Sequence, residues 1–173
     1  MEAGQQIEKW FYKYEKDILN YLIYYTGSMD VEDLVQDTFI KAYQAYDRYR
    51  SDANPKTWLI SIARNTAIDS YRKKGILNKL KQKLLNERPD KVSPAPIEQL
   101  LKDLESKNLY EAISKLKTNY RDVVLLRGIA ELSSAEAAQV LGWSVNKVNV
   151  TFSRATSKLN SVLKEGIEYE QSF

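Results

Sequence analysis

The sequence predicts an all-α protein made of two small helical domains joined by a flexible linker. Three observations predict it. Apolar and aromatic residues recur three and four positions apart through most of the chain, and nothing alternates with the period of two that marks a strand. The helical pattern is interrupted between Gly75 and about Ser106 by a stretch carrying Pro89, Pro94 and Pro96. At 173 residues the chain is long enough for two compact helical units. The expected domains are 1–75, 107–165 with the linker 76–106 between them, and a frayed tail at 166–173.

Composition narrows the chemistry. Cysteine and histidine are both absent, which excludes disulfides, thiolate nucleophiles, Cys/His zinc sites and imidazole acid/base work. No clustered carboxylate triad, Gly-rich phosphate loop or nucleophile elbow appears, so no catalytic residue, metal, cofactor or small-molecule substrate is expected. No run approaches the roughly 20 apolar residues of a membrane span, and Met1 to Lys9 lacks a basic-then-apolar signal, so the expected compartment is the cytoplasm. Net charge is only +3, so attraction to nucleic acid must come from local clusters of Lys and Arg.

The first helix is expected from Ile7 to Tyr25, with Phe11, Tyr14, Ile18, Leu22 and Tyr25 on one face and Gly27-Ser28 breaking it. Asp30 is a plausible N-cap for a second helix from Val31 to about Tyr46, whose first turn holds Glu32 and Asp33 where the helix dipole favours acids. In it Val31, Val35, Thr38, Ala42 and Tyr46 share one face, leaving Asp33, Gln36, Asp37, Ile40 and Gln44 on another. A charged face is usually just solvated, but an apolar Ile40 among acids fits a docking surface better. Pro55 suits the start of a third helix, Lys56 to Lys74, which Gly75 should close. The piece after it, with Ile76, Leu77, Leu80 and Leu84, reads as an amphipathic helix packed on a neighbour. Helical pattern returns at Leu109 and runs through Leu116, Tyr120 to Arg127, Ser134 to Leu141, and Val145 to about Leu163.

Ser133 to Leu159 reads as a helix-turn-helix. An Ala-rich helix ends at Gly142, Trp143-Ser144 intervene, and a new helix begins. Ala137 and Ala138 allow close crossing, Gly142 can take the left-handed conformation of the turn, and Ser144 can cap the second helix. Val145, Val148, Phe152, Ala155 and Leu159 should face the core. The opposite face presents Asn146, Lys147, Asn149, Val150, Thr151, Ser153 and Arg154, with Ser144 and Lys158 at its ends. Asn can bond bidentately to adenine, and Lys or Arg can reach guanine or phosphate, so this face suits the major groove. The plainer alternative is a surface helix of a small bundle.

Tyr49 to Lys74 is the most informative stretch. Leu59, Ile62, Ala63 and Thr66 make a buried stripe. Lys56, Arg64, Arg72, Lys73 and Lys74, against the single acid Asp69, make the other side basic. Tyr49, Trp58 and Tyr71 are interleaved with these cations, the combination that serves single-stranded nucleic acid. Trp58 could equally be core.

This stretch resembles the signature of extracytoplasmic-function sigma factors of bacterial RNA polymerase. It carries the Thr57-Trp58-Leu59, Ile62-Ala63-Arg64-Asn65 and Asp69-x-x-Arg72-Lys73 elements in order. Glu32 to Tyr43 is similar to that family's polymerase-binding helix, and Leu116 to Leu159 resembles its promoter-upstream DNA-binding domain.

The resemblance implies a sigma region 2-like bundle followed by a region 4-like helix-turn-helix. It assigns Asp33, Gln36, Asp37, Ile40 and Gln44 to the clamp helices of the polymerase largest subunit, with the flap of the second-largest subunit as a further contact. Promoter DNA would meet the chain twice. The minus-ten strand, one base flipped out at a cost of a few kcal/mol, would meet the loop with Tyr49, Arg50, Ser51, Asp52 and Asn54. It would continue along the helix with Lys56, Trp58, Ser61, Arg64, Asn65, Asp69, Arg72 and Lys73, although Asp69 could instead pair with Arg72 or Lys73. The minus-thirty-five duplex would meet Ser144 to Lys158. An anti-sigma factor, membrane-associated in the expected arrangement, would occlude these surfaces.

There are departures from the family. It often has Pro at the place of Lys117, Gly at that of Glu131, and basic residues near Asn149, Thr151 and Thr156, so upstream-element binding should be weaker or differently specified. The linker is basic, with Lys79, Lys81, Lys83, Arg88 and Lys91 outweighing Glu87 and Asp90, where an acidic tether would mimic nucleic acid. The alternative from another class is a stand-alone helix-turn-helix regulator.

Overall fold

The computed structural model describes residues 2–85 and 104–171, and side chains over 2–85 and 106–166. The proline-containing stretch with Glu87, Arg88, Pro89, Asp90, Lys91, Pro94 and Pro96 lies outside the described residues. Those described form seven α-helices and no strand.

In the amino half, α1 (Ala3–Thr26) ends where Gly27 turns left-handed at φ 71° and its N–H reaches Ile23 C=O. α2 (Glu32–Gln44) follows. Its cap is not Asp30: the Asp30 N–H is taken by Ser28 Oγ at 3.0 Å, and fully buried Val31 occupies the N-cap position without a side-chain bond. A single tight turn, Tyr46–Arg48, leads to the loop before α3.

α3 spans Pro55–Leu85 and does not stop at Gly75. One glycine in a helix interior costs about 1 kcal/mol, and the Leu- and Lys-rich stretch beyond it propagates the helix. The expected neighbour for that extension is absent among the described residues. Ile76 is 68% exposed and Leu84 73%, with Leu77 and Leu80 exposed as well. The helix carries an apolar stripe that has no partner among the described residues. The amino core is Ile7, Trp10, Ile18, Tyr21 and Leu22 of α1, Val35, Phe39 and Ala42 of α2, and Leu59, Ile60, Ala63 and Ala67 of α3. Ile62 is only partly buried; Ile60 and Ala67 take the central places.

In the carboxy half, α4 (Leu104–Ser114) starts before the expected Leu109. α5 (Thr118–Val124) continues into a wider turn, Leu125–Ile129, where Ala130 N–H reaches back five residues to Leu125 C=O at 2.8 Å. The chain then bends at Glu131, which adopts φ 57°. α6 (Ser134–Leu141) opens on a full capping box: Ser133 Oγ accepts from Glu136 N–H while the Glu136 carboxylate accepts from Ser133 N–H. α7 runs Val145–Gln171, so the backbone expected to fray after Glu165 is helical as far as Gln171.

The two halves are not held apart. α1 packs on the wide turn after α5, and α3 packs on α6. Buried apolar residues from both halves form one contiguous cluster.

Candidate nucleic-acid interface

The α2 face named from the sequence is open. Asp33, Gln36, Asp37, Ile40 and Gln44 are all exposed, while Val31, Val35, Thr38 and Ala42 are buried beneath them. Ile40 is 53% exposed, and Tyr43 beside it is also exposed. Together with Phe11, Phe39 and Gly4 they line a shallow groove between α1 and α2. Apolar floor and acidic rim therefore occupy one surface.

The wall from Tyr49 to Lys73 is built on aromatic packing. The Trp10 ring meets Tyr46, Tyr49 and Trp58 at centroid distances of 5.9, 4.9 and 6.0 Å, and Tyr49 lies 4.9 Å from Trp58. The Tyr49 hydroxyl donates to Ala53 C=O, which closes the loop on itself. Burial, reinforced by Tyr14, Tyr46 and Asp52, holds its phenol above the usual range. Tyr49 and Trp58 are thus half-buried members of the core edge, with only part of each ring toward solvent. Tyr71 is half exposed, but its hydroxyl donates to Thr26 C=O at 2.8 Å.

Asn54 caps α3 by accepting Lys56 N–H at 2.9 Å, and its Nδ2 donates to Glu136 Oε1 of the other half at 3.2 Å. Arg50, Ser51, Asp52, Asn65, Asp69, Arg72 and Lys73 are exposed; Lys56, Ser61 and Arg64 are partly buried. Among the described residues Asp69 forms no ion pair with Arg72 or Lys73. The ion pair present joins Arg64 Nη2 to Asp122 Oδ2 at 3.4 Å, with side chains 20% and 8% exposed.

On α7 the turn chemistry matches the sequence reading. Gly142 is left-handed at φ 69°, Ala137 and Ala138 are buried, and Ser144 Oγ accepts Lys147 N–H at 3.1 Å. Val148 and Ala155 are fully buried, with Phe152 and Leu159 partly so. Val145 is not core. It is 44% exposed, because it stands on the first turn of α7, past the end of α6 at Leu141. Asn146, Lys147, Asn149, Val150, Ser153, Arg154 and Lys158 are exposed and Thr151 is partly buried. Two have internal partners: Asn149 Oδ1 accepts from Ser134 Oγ at 2.5 Å, and Lys147 Nζ lies 4.1 Å from the Trp143 ring centroid.

Comparison with known proteins assigns these halves. Residues 10–76 match the family model Sigma-70 region 2, and residues 106–159 match Sigma-70, region 4. The RNA polymerase sigma factor YlaC of Bacillus subtilis is 34% identical over 173 residues, covering 99% of each chain. This chain belongs to the sigma factor family. The same organism's ECF RNA polymerase sigma factor SigX is 31% identical over 84% of this chain and 77% of its own, which puts the protein in the extracytoplasmic-function group. Among solved structures, the sigma factor RpoE in complex with the anti-sigma factor NepR from Bartonella quintana superposes with a TM-score of 0.73, at 25% identity over 92% of this chain and 98% of that one. CnrH in complex with the cytosolic domain of CnrY gives 0.70, at 27% identity over 94% and 90%.

In this sigma factor several residues placed at the interface have no signal in the sequence. Asp122, Glu136, Gln139 and Val140 belong to the carboxy half, yet they lie against Asn54, Thr57, Trp58, Ser61 and Arg64 of the wall. Asp122 is 58 residues from its partner, and no local pattern marks such a pair. No described helix is long and apolar enough to cross a membrane.

Proposed function

We propose that this sigma factor binds core RNA polymerase through the open α2 face and directs it to promoters in two contacts. Asp33, Gln36, Asp37, Ile40 and Gln44 dock on the clamp helices of the largest subunit, the carboxy half reaches the flap of the second-largest, and the acids meet basic partners around an apolar centre. The wall then takes the melted minus-ten strand. Arg50, Lys56, Arg64, Arg72 and Lys73 attract its backbone, Tyr49 and Trp58 offer the exposed part of each ring for stacking, and Ser51, Asp52, Asn54, Ser61, Asn65 and Asp69 offer donors and acceptors to base edges. Ser144, Asn146, Lys147, Asn149, Val150, Thr151, Ser153, Arg154 and Lys158 meet the minus-thirty-five duplex. An anti-sigma factor keeps the chain silent in the cytoplasm, as the complexes named for RpoE and CnrH suggest by analogy. The partner of CnrH is a cytosolic domain, which fits a membrane-associated regulator here.

The observation that carries this reading is the end-to-end match to a sigma factor, with both region models in order on one chain. Transcription with purified core polymerase and a promoter library tests it. Promoter-dependent transcripts are expected with the wild type and none with Asp33→Lys/Asp37→Lys, while duplex binding by the same variant persists. Absence of any transcript from the wild type would overturn the reading. Indifference of the double variant would favour a stand-alone helix-turn-helix regulator, to which the open face of α7 is equally suited.

A further inference from the structure

We infer that the end of α3, from Arg72 to Leu85, is a surface anchor for an anionic lipid bilayer. α3 leaves the seam between the two halves at Tyr71, which lines a cleft with Tyr110 and Arg121 and donates its hydroxyl to Thr26 C=O at 2.8 Å. From there to Leu85 every residue is exposed except Gln82, which is partly buried. At about 1.5 Å per residue this makes an exposed rod roughly 21 Å long. Single apolar side chains in solvent are ordinary. Here Ile76, Leu77, Leu80 and Leu84, each at least 51% exposed, lie three and four residues apart on one line of the rod, and a line is a patch.

The charges decide what such a line fits. Between Asp69 and Glu87 the chain has six cations and no acid. Around the helix Arg72, Lys79 and Lys83 border the apolar line on one side, and Lys74 and Lys81 border it on the other. Gly75, Asn78 and Gln82 take the far face. The aliphatic stems of the bordering lysines can lie along the leucines while their ammonium groups rise to the level of lipid phosphates. A helix of this pattern lies in the plane of an anionic bilayer with its apolar face sunk below the headgroups.

Other occupants fit worse. A second copy of the same helix would set lysine borders against lysine borders. A partner helix held in register uses charges of both signs beside the apolar line. The line is also under three turns long, short of the several heptads such pairing takes. A bilayer asks for neither register nor length. The negative leaflet is the cytoplasmic one, so the anchor would set the chain beside the membrane-associated regulator proposed above. The site itself rests on α3 alone and not on that reading.

The full chain has no native cysteine, so a polarity-sensitive dye can be placed through Leu84→Cys on the apolar line or Asn78→Cys on the far face. Vesicles of equal parts phosphatidylglycerol and phosphatidylcholine should bind the chain, with a blue shift of the dye in Leu84→Cys and none in Asn78→Cys. Vesicles of phosphatidylcholine alone should do neither. Lys79→Gln/Lys81→Gln/Lys83→Gln should weaken binding on the order of a hundredfold, at about fivefold per lysine. Leu77→Glu/Leu80→Glu should abolish it, and Leu77→Gln/Leu80→Gln carries that arm if the acidic variant loses helix content. Failure to bind the mixed vesicles would overturn the anchor. Binding that survives both leucine variants would overturn it as well, as adsorption by charge alone. A blue shift in Leu84→Cys before any vesicle is added also counts against it: if independent of concentration, the chain covers its own stripe, and if rising with concentration, a second copy does. No arm involves polymerase or DNA, so the sigma factor reading and the anchor stand or fall separately.

Discussion

The two surfaces offered to DNA are built in opposite ways. The reading face of α7 is a local product: Ala137 and Ala138 set the crossing, Gly142 makes the turn, Ser144 caps the helix, and the polar side chains project into solvent. The minus-ten wall is assembled over distance. Trp10 from α1 supports Tyr49 and Trp58, and the carboxy half engages Arg64 through Asp122 and Asn54 through Glu136. A surface made by neighbours in sequence can stand open at no risk to the fold, whereas one made by long-range packing is coupled to whatever else packs there. The coupled surface is the one that can be regulated by shape.

The contrast breaks most sharply at Trp10. It is 7% exposed and touches three aromatic rings, two of them in the wall. Trp10→Ala should cost about 3 to 5 kcal/mol by lost burial and an unfilled cavity, read as a lower midpoint in chemical denaturation. The chain has three tryptophans, of which Trp143 alone lies in the carboxy half, so the Trp10→Ala/Trp58→Phe background reports that half by its fluorescence. Its midpoint should fall together with that of the amino half, because one apolar cluster joins them. A loss below about 1 kcal/mol would mean that the aromatic cluster is not the foundation of the wall.

A smaller effect separates the cations of the two surfaces. Removing Lys56, Arg72 and Lys73 from the wall should lower the salt slope of binding to a single strand by about 2, at roughly 0.7 per neutralised phosphate. On α7, Arg154 and Lys158 should each contribute to duplex binding in the same manner. Lys147, whose ammonium lies over the Trp143 ring, should meet the duplex without adding to the salt slope. Lys147→Ala is expected to leave the slope of the holoenzyme on promoter duplex unchanged. A drop of a full unit would show that the lysine leaves Trp143 for phosphate when DNA arrives.

These differences also explain which features were legible in the sequence. The helix-turn-helix and the exposed α2 face could be read because their signals lie within a few residues: a small-residue pair, a glycine followed by a serine, an apolar Ile40 among acids. Helix ends were less so. Gly75 looks like a terminator locally and 166–173 like a frayed tail, yet both stretches are good enough helix formers to continue, the second as far as Gln171. Val145 has core spacing, but α6 ends too early to cover it. Least legible was the seam. Arg64 reads as a free cation on a basic helix, and its acid lies on a helix of the other half with no periodic relation to it.

Glu131 is where the carboxy half departs from its own local logic. It sits at φ 57° after the wide turn, a conformation in which an L side chain crowds the following carbonyl and glycine does not. The turn is forced by its neighbours: Leu132 N–H reaches Leu126 C=O at 2.9 Å, Arg127 Nη1 donates to Leu132 C=O at 2.7 Å, and Ser133 must arrive as the cap of α6. A glycine here would satisfy the turn without strain. Glu131→Gly should therefore stabilise the chain by roughly 0.5 to 1 kcal/mol, the relief of the left-handed residue outweighing the added freedom of the unfolded chain. Thermal unfolding reads the gain directly. A net loss would mean that the Glu131 side chain contributes more to the helix-turn-helix than its exposed position indicates.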